Sequence, residues 1–340
     1  MADQFFHLDA TEQKDILATL ATELGRKSNV LEKDIWVCWA LNAMFTLPEG
    51  LPMAFKGGTS LSKVFTAINR FSEDIDITID YRELAKYLDD KFDPFDEKSS
   101  NSQISKFSDR LKKGLKEYAA DKVIPHLQNK IDLLPTKSDI SIEHSDDGES
   151  IWVHFPSVVE EEDEYLKSSI LIELGGRNII DPNATHMITA DIAEKLSDQE
   201  LEFPVAETVV LAAERTFWEK ATLIHAECNR GTLKANAERL SRHWYDLYLL
   251  NQTTIGESAL ADIDLLKDVI KYKKCFFRSG FANYDACLTN TFKLVPSKAV
   301  LDELEKDYRS MRDMIYGDAP DFSTIITSLT ELEKTINELT

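Results

Sequence analysis

A chain of 340 residues, 43% of them apolar and few of them Gly or Pro, is globular rather than disordered or fibrous, and long enough for one large domain or two of ordinary size. The start, MADQFFHLDATEQKD, lacks the basic and apolar regions of a signal peptide, no apolar run approaches the roughly 18 residues of a membrane span, and Cys38, Cys228, Cys275 and Cys287 show no CxxC spacing, so the expectation is a cytoplasmic protein with free thiols. A formal net charge of -21 opposes casual binding to nucleic acid, leaves room for a local basic groove, and suits a basic partner.

In chain order, Thr11 to Gly25 reads as an amphipathic helix ended by glycine, and Asn29 to Phe45 as a second, more buried one. LPMAFKGG is a short strand running into a glycine turn. Thr59 to Phe71 is predicted to be a helix, with Leu61, Val64, Phe65 and Ile68 on one stripe. EDIDITID alternates: Ile75, Ile77 and Ile79 face one way, and Asp74, Asp76, Thr78 and Asp80 the other, as on a strand with one buried face. Asp93 to Ser102 is a turn-rich loop, and Ile104 to Ile131 a long helical pattern broken near Pro125. DISIEH, IWVHF and SSILIEL are strand candidates; the acidic EEEDEY between the last two reads as a solvated connection. From about Ala206 onward the pattern is helical. The expectation is an α+β fold: a mixed sheet with flanking helices over residues 1–205 and a helical domain over 206–340.

The chemistry concentrates in FKGGTSLSKVFTAINRFSEDIDITID. Alternate residues on a strand lie roughly 6.5 to 7 Å apart and point the same way, so Asp74 and Asp76 can share one or two divalent ions, and hard carboxylate oxygens suit magnesium. Gly57, Gly58 and Thr59 open a helix, where bare backbone and free N–H groups favour phosphate, and Lys56 adds a positive charge. The two halves of the stretch would thus hold the two ends of a metal–triphosphate unit, as in phosphoryl or nucleotidyl transfer.

This pattern, KGGTSLSK…RFSEDIDI, resembles the signature of the AbiEii/AbiGii toxin family of nucleotidyltransferases, within the DNA polymerase β-like superfamily. VLEKDIW, ILIELGGR, ERTFWEKATLIHA, SRHWYDLYLL and FFRSGFANYDAC…LVPSKAVLDELEKDYRSM resemble further family segments. The resemblance implies a nucleotidyltransferase-type sheet, and an NTP-using toxin of a toxin–antitoxin or phage-defence pair, with tRNA as acceptor and a cognate antitoxin as partner. Two other readings stand beside it: a nucleotidyltransferase acting on an aminoglycoside-like cationic drug, and a nucleotide-binding interaction module without turnover.

The remaining candidates each carry an alternative. Glu173, in an otherwise apolar strand, is a third metal ligand or a general base, or else an edge-strand glutamate paired with Arg177. Lys220 falls within a stripe of Val209, Val210, Ala213, Phe217 and Ile224; it meets a triphosphate, or it snorkels or pairs with a structural acid. Asp246 matches a functional family aspartate by resemblance, and would orient Lys220 or substrate; otherwise it is a helix-surface partner of a nearby arginine. Ser72 contacts phosphate or caps a loop. His225 and His243 lack metal spacing and read as structural. KYKKCFFRSGF, basic and aromatic, either meets RNA or packs as a helix with a basic face.

Overall fold

A computed structural model describes residues 3–159, 167–196, 201–232 and 239–340, so the acidic EEEDEY segment lies outside the described residues. The chain divides into two compact units, the first made of residues 1–64, 73–92 and 106–210, the second of 65–72, 93–105 and 211–340. Among the described residues no helix is long and apolar enough to cross a membrane.

In the first unit, a short strand β1 (Asp3–Gln4) precedes α1 (Ala10–Leu24), which starts in a capping box between Asp9 and Glu12 and stops at Gly25, whose φ is 62°. Helix α2 (Ser28–Phe45) is buried along almost its whole length. Strand β2 (Met53–Lys56), α3 (Gly57–Lys63) and β3 (Ile75–Asp80) follow, then α4 (Tyr81–Tyr87), α5 (Asn101–Tyr118) and α6 (Ile124–Ile131). A π-helical turn over Ala119–Val123 joins the last two helices, and Pro125, which has no N–H to donate, falls in the first turn of the second. Strands β4 (Ser141–His144), β5 (Ser150–His154), β6 (Ser169–Asn178), β7 (Asn183–Thr189), β8 (Leu201–Glu202) and β9 (Val205–Leu211) complete the unit.

Among the described residues the main sheet has seven strands in the order β4-β5-β6-β3-β2-β9-β7. It is mixed: β3 runs parallel to β6 and antiparallel to β2, and β2 runs parallel to β9. Its inner face is apolar, with Phe55, Ile75, Ile77, Ile79, Ile170 and Ile172 fully buried. The alternation read from EDIDITID is therefore the alternation of β3 about the core.

Two sequence expectations fail here. The predicted helix Thr59–Phe71 is only Gly57–Lys63. Thr66 takes a left-handed conformation at φ 50°, and the following segment prefers backbone pairing with residues 314–316: Phe71 N–H donates to Met314 O at 2.7 Å, and Tyr316 N–H to Asn69 O at 3.0 Å. Val64 and Phe65 are consequently only half-buried. The helical reading from Ala206 also fails at its start, since Val205–Leu211 is a strand whose β-branched residues suit the sheet. Val209 and Val210 thus share no helix with Lys220.

The second unit contains α7 (Ala213–Arg230), α8 (Arg242–Leu250), α9 (Thr254–Ala261), α10 (Ile263–Phe276), α11 (Lys298–Ser310) and α12 (Phe322–Leu339). Trp218 and Trp244 are fully buried in it, and their indole N–H groups donate to Ala259 O at 3.1 Å and Leu294 O at 2.9 Å.

Candidate active site

The first unit gathers its site on the outer face of the sheet. Asp76 of β3 sits in register opposite Glu173 of β6 on one side and Lys56 of β2 on the other, with Ser150 of β5 next beyond Glu173. Register partners point to the same face with Cβ atoms roughly 5 Å apart, so Lys56, Asp76, Glu173 and Ser150 form one polar row. Asp74 immediately precedes β3 and shares that face by alternation. Strand β6 is interior, flanked by β5 and β3, and Glu173 is exposed, so the edge-strand and burial-cost readings of Glu173 are both wrong. Arg177 reaches Glu149, at 3.4 Å.

The glycine turn presses directly on this row. Gly57 has φ +82°, and a Cβ there would lie 2.0 Å from Asp76 Oδ2. Only a residue without a side chain lets the Asp76 carboxylate occupy its position. Gly58 is buried within the first turn of α3. The Thr59 side chain is buried and its hydroxyl donates to Asp74 O at 2.6 Å, so it positions Asp74. The seven residues of α3 also make a shorter dipole than the predicted helix, which shifts the burden of holding phosphate toward Lys56 and the turn's own N–H groups.

Among the described residues no three His, Cys, Asp or Glu side chains converge as a metal cluster. Magnesium needs only one or two protein carboxylates, with substrate phosphates and water completing its shell. Asp76 on β3 and Asp74, just before it, are two such carboxylates.

Three consecutive charges of α2 tie down the surroundings. Glu32, Lys33 and Asp34 are all buried. Glu32 accepts from Val158 N–H at 2.7 Å and from the Ser157 hydroxyl. Burial pushes its carboxyl up, against those two hydrogen bonds. Lys33 pairs with Glu73, the residue before Asp74, and donates to Lys167 O at 2.9 Å. Asp34 accepts from Lys63, at the end of α3, at 2.6 Å, and from Asp191 N–H at 2.7 Å. Lys63 also reaches Asp191 Oδ1 at 2.7 Å and Thr189 O at 2.9 Å. Burial disfavours its charge, but Asp34, Cys38 and Asp191 outweigh that and raise its pKa. The sequence reading missed this network; its signal was Glu-Lys-Asp inside the apolar VLEKDIWVCWA.

The second unit holds its own charged cluster. Asp246 is fully buried and bridges two cations: Arg70 grips it bidentately, Nε to Oδ1 at 2.7 Å and an Nη to Oδ2 at 2.8 Å, while Lys220 Nζ donates to Oδ2 at 2.8 Å. Lys220 does not snorkel but pairs with a buried acid, the other alternative weighed for it, and Asp246 meets its arginine in the interior rather than on a helix surface. Burial raises the Asp246 carboxyl, and Arg70 and Lys220 overcome it to a strongly lowered pKa. Burial lowers the Lys220 pKa, with Arg70 and Arg242 adding to it against Asp246. Burial, Lys220 and Arg242 hold His243 well below its ordinary pKa. Ser72, half-buried, ends the short 65–72 segment that carries Arg70. His225 is structural: its Nδ1 accepts from Lys293 N–H at 2.9 Å, which leaves Nε2–H to donate to Asn283 O at 3.1 Å.

No curated protein matches the chain. Among solved structures, it is similar to MenT4, a nucleotidyltransferase toxin from Mycobacterium tuberculosis H37Rv, at 16% identity and a TM-score of 0.42, over 95% of this chain and 98% of that one. Residues 39–328 match the family model described as nucleotidyl transferase AbiEii toxin, type IV toxin–antitoxin system. With most of its length matched, and with the glycine turn and β3 acids inside the match, the chain belongs to the AbiEii nucleotidyltransferase toxin family.

Proposed function

We propose that the protein transfers a nucleoside monophosphate from an NTP to an acceptor hydroxyl in a magnesium-dependent reaction, with tRNA as the acceptor and a cognate antitoxin as its genetic partner. The observation that carries the proposal is the polar row Lys56–Asp76–Glu173 with Gly57 packed against the Asp76 carboxylate. Family membership supplies the reaction class.

Asp74 and Asp76 are the residues that would hold magnesium, which when bound supplies neutralisation of the triphosphate's charge. Lys56 and the backbone of Gly57, Gly58 and Thr59 bind and orient phosphate oxygens, and Ser72 adds a hydroxyl donor. Thr59 fixes the backbone of Asp74 through its hydroxyl. Glu173, exposed on the same face, takes the proton of the attacking hydroxyl. The acceptor oxygen bonds to the α-phosphorus, the α–β anhydride bond breaks, and pyrophosphate leaves. Within the second unit, Asp246 holds the Lys220 ammonium in place.

The test is incubation with magnesium and each labelled NTP against total tRNA, total protein or an aminoglycoside. Label on tRNA supports the proposal; label on the drug transfers the assignment to a small-molecule enzyme, and nucleotide binding without transfer to an interaction module. Asp76→Ala removes a half-buried outer-face carboxylate and no core volume. It is expected to abolish transfer while leaving the melting temperature within a few degrees of wild type; full activity in this variant would refute the metal assignment.

A further inference from the structure

The basic stretch KYKKCFFRSGF carries four cations and no acid in a chain of formal charge -21, and the reaction described above makes no use of it. Lys271 and Lys274, on the last turns of α10, and Arg278, just past its end, recur at spacings of three and four and are all exposed. Phe277, beside Arg278, is 44% exposed, a large apolar ring in water. Lys271 Nζ lies over the Phe95 ring, 4.3 Å from its centroid, which limits where that charge can point. A shallow pocket of about 380 Å³ opens at the end of the stripe, lined by Lys274, Arg278, Ser279, Gly280, Tyr284 and Asp285. Lys274 pairs there with Asp285, and Arg278 donates to Asn101 Oδ1.

The buried side of the same helix explains its packing without these groups: Leu265, Leu266, Val269, Ile270, Cys275 and Phe276 supply the core. Lys271, Lys274, Phe277 and Arg278 lie outside that buried set and are exposed. Cations spaced along one face with an accessible aromatic beside them fit a single strand of nucleic acid, whose phosphates meet the cations while a base stacks on the ring. A duplex would leave Phe277 unused, and an acidic peptide would have no use for a flat ring next to Arg278.

We infer that this face is the docking surface for the single-stranded part of the acceptor RNA, with phosphates on Lys271, Lys274 and Arg278 and a base on Phe277. Asp285 occupies Lys274 in the free protein and is displaced on binding. The inference rests on the nucleotidyl-transfer reading only for naming the strand an acceptor; docking itself needs neither NTP nor metal.

The experiment measures fluorescence anisotropy of a labelled 12-nucleotide RNA with the full chain, without NTP or magnesium, across a salt series. The K271Q/K274Q/R278Q variant should bind at least about 10-fold more weakly and lose roughly two to three from the slope of log affinity against log salt. Phe277→Ala should weaken binding about 5-fold or more at every salt concentration. Asp285→Asn should tighten it about two- to five-fold, because the competing carboxylate is gone. Asp76→Ala should dock like wild type, which separates a failure of docking from a failure of transfer. Thermal melts of each variant confirm an intact fold. Unchanged affinity in the triple variant, unchanged affinity in Phe277→Ala, or tighter binding of a duplex of equal length would each overturn the inference.

Discussion

Gly57→Ala places a single methyl group where the structure has no room and where the chemistry would show it. Gly57 holds φ +82°, and the added Cβ would stand 2.0 Å from Asp76 Oδ2 and 2.8 Å from Asp76 Cγ. The left-handed backbone costs an alanine about 1–2 kcal/mol, and an overpacked contact typically about 1–3 kcal/mol more. Gly25 is the internal control: its φ is +62°, yet nothing lies within 4 Å of its would-be Cβ, so Gly25→Ala meets only the first cost. The readiest relief at Gly57 is rotation of the Asp76 carboxylate away from the turn. A displacement of about 1 Å at a reacting centre can cost on the order of 100-fold in rate. Gly57→Ala should therefore lower transfer of label from NTP to tRNA at least about 100-fold and lose about 1–3 kcal/mol more than Gly25→Ala in urea unfolding. Gly25→Ala should retain near wild-type transfer. A Gly57→Ala protein as active as wild type, or two alanine variants equally inactive, would refute the idea that the turn makes room for Asp76.

Thr59→Val keeps the shape but removes the hydroxyl that donates to Asp74 O; it should cost about 1–2 kcal/mol in stability and slow transfer, while Thr59→Ser restores both, and a Val variant with wild-type turnover would count against Thr59 as a positioning residue. Asp246→Asn leaves Arg70 and Lys220 buried side by side without their shared carboxylate, so denaturant unfolding should show a loss of about 3–5 kcal/mol; a change under about 1 kcal/mol would mean that water or another anion already neutralises the pair. His225 is held below its ordinary pKa of about 6.5 by burial, with Lys293 and Lys273 adding to it against the Asn283 bond. Below about pH 6.5 the unfolded chain therefore binds a proton that the native state refuses, and stability falls as pH drops toward the folded pKa. Melting temperatures from pH 7.5 to 5 should show that decline, and His225→Gln should flatten part of it; an unchanged slope would sink the assignment of a neutral imidazole.

The part of the site that sequence pattern exposed is the part built from near neighbours. Asp76 and the isoleucines Ile75, Ile77 and Ile79 sit on one strand, where a period of two fixes each face, and Asp74 lies just before it. The Gly-Gly turn and Glu173 were visible for similar reasons, one as a break in a pattern and the other as a charge within an apolar run. Arg70 was invisible because its partner, Asp246, lies 176 residues away, and nothing local marks a guanidinium that will be buried. The bond from the Thr59 hydroxyl to Asp74 O has no local mark, because a helix-opening threonine looks the same whatever its hydroxyl meets. Helix α3 was drawn too long because Val64, Phe65 and Ile68 keep a helical spacing, while the backbone pairing of residues 69–71 with 314–316 is a nonlocal choice that overrides it. Strand β9 was absorbed into a helix although Val205, Thr208, Val209 and Val210 are β-branched, because the helical residues of α7 follow almost without punctuation.

The Glu32-Lys33-Asp34 run bears on why such a site stays put. Three successive charges on a core helix are expensive, and buried ion pairs are often no more stabilising than apolar residues of the same volume. Their value here lies in what each one fixes. Glu32 holds the backbone at Val158; Lys33 holds Glu73, one residue before Asp74; Asp34 holds Lys63 and the backbone of Asp191. Lys63 closes the far end of the short helix that Gly57 opens. The two segments that must meet, the glycine turn and the entry to β3, are thereby each tied to the same helix, and Thr59 ties them to one another. An apolar α2 would bury as much surface, but it would leave Lys63 and Glu73 without these ties. For a carboxylate that has to lie within van der Waals reach of a glycine Cα, that slack matters more than the cost of three buried charges.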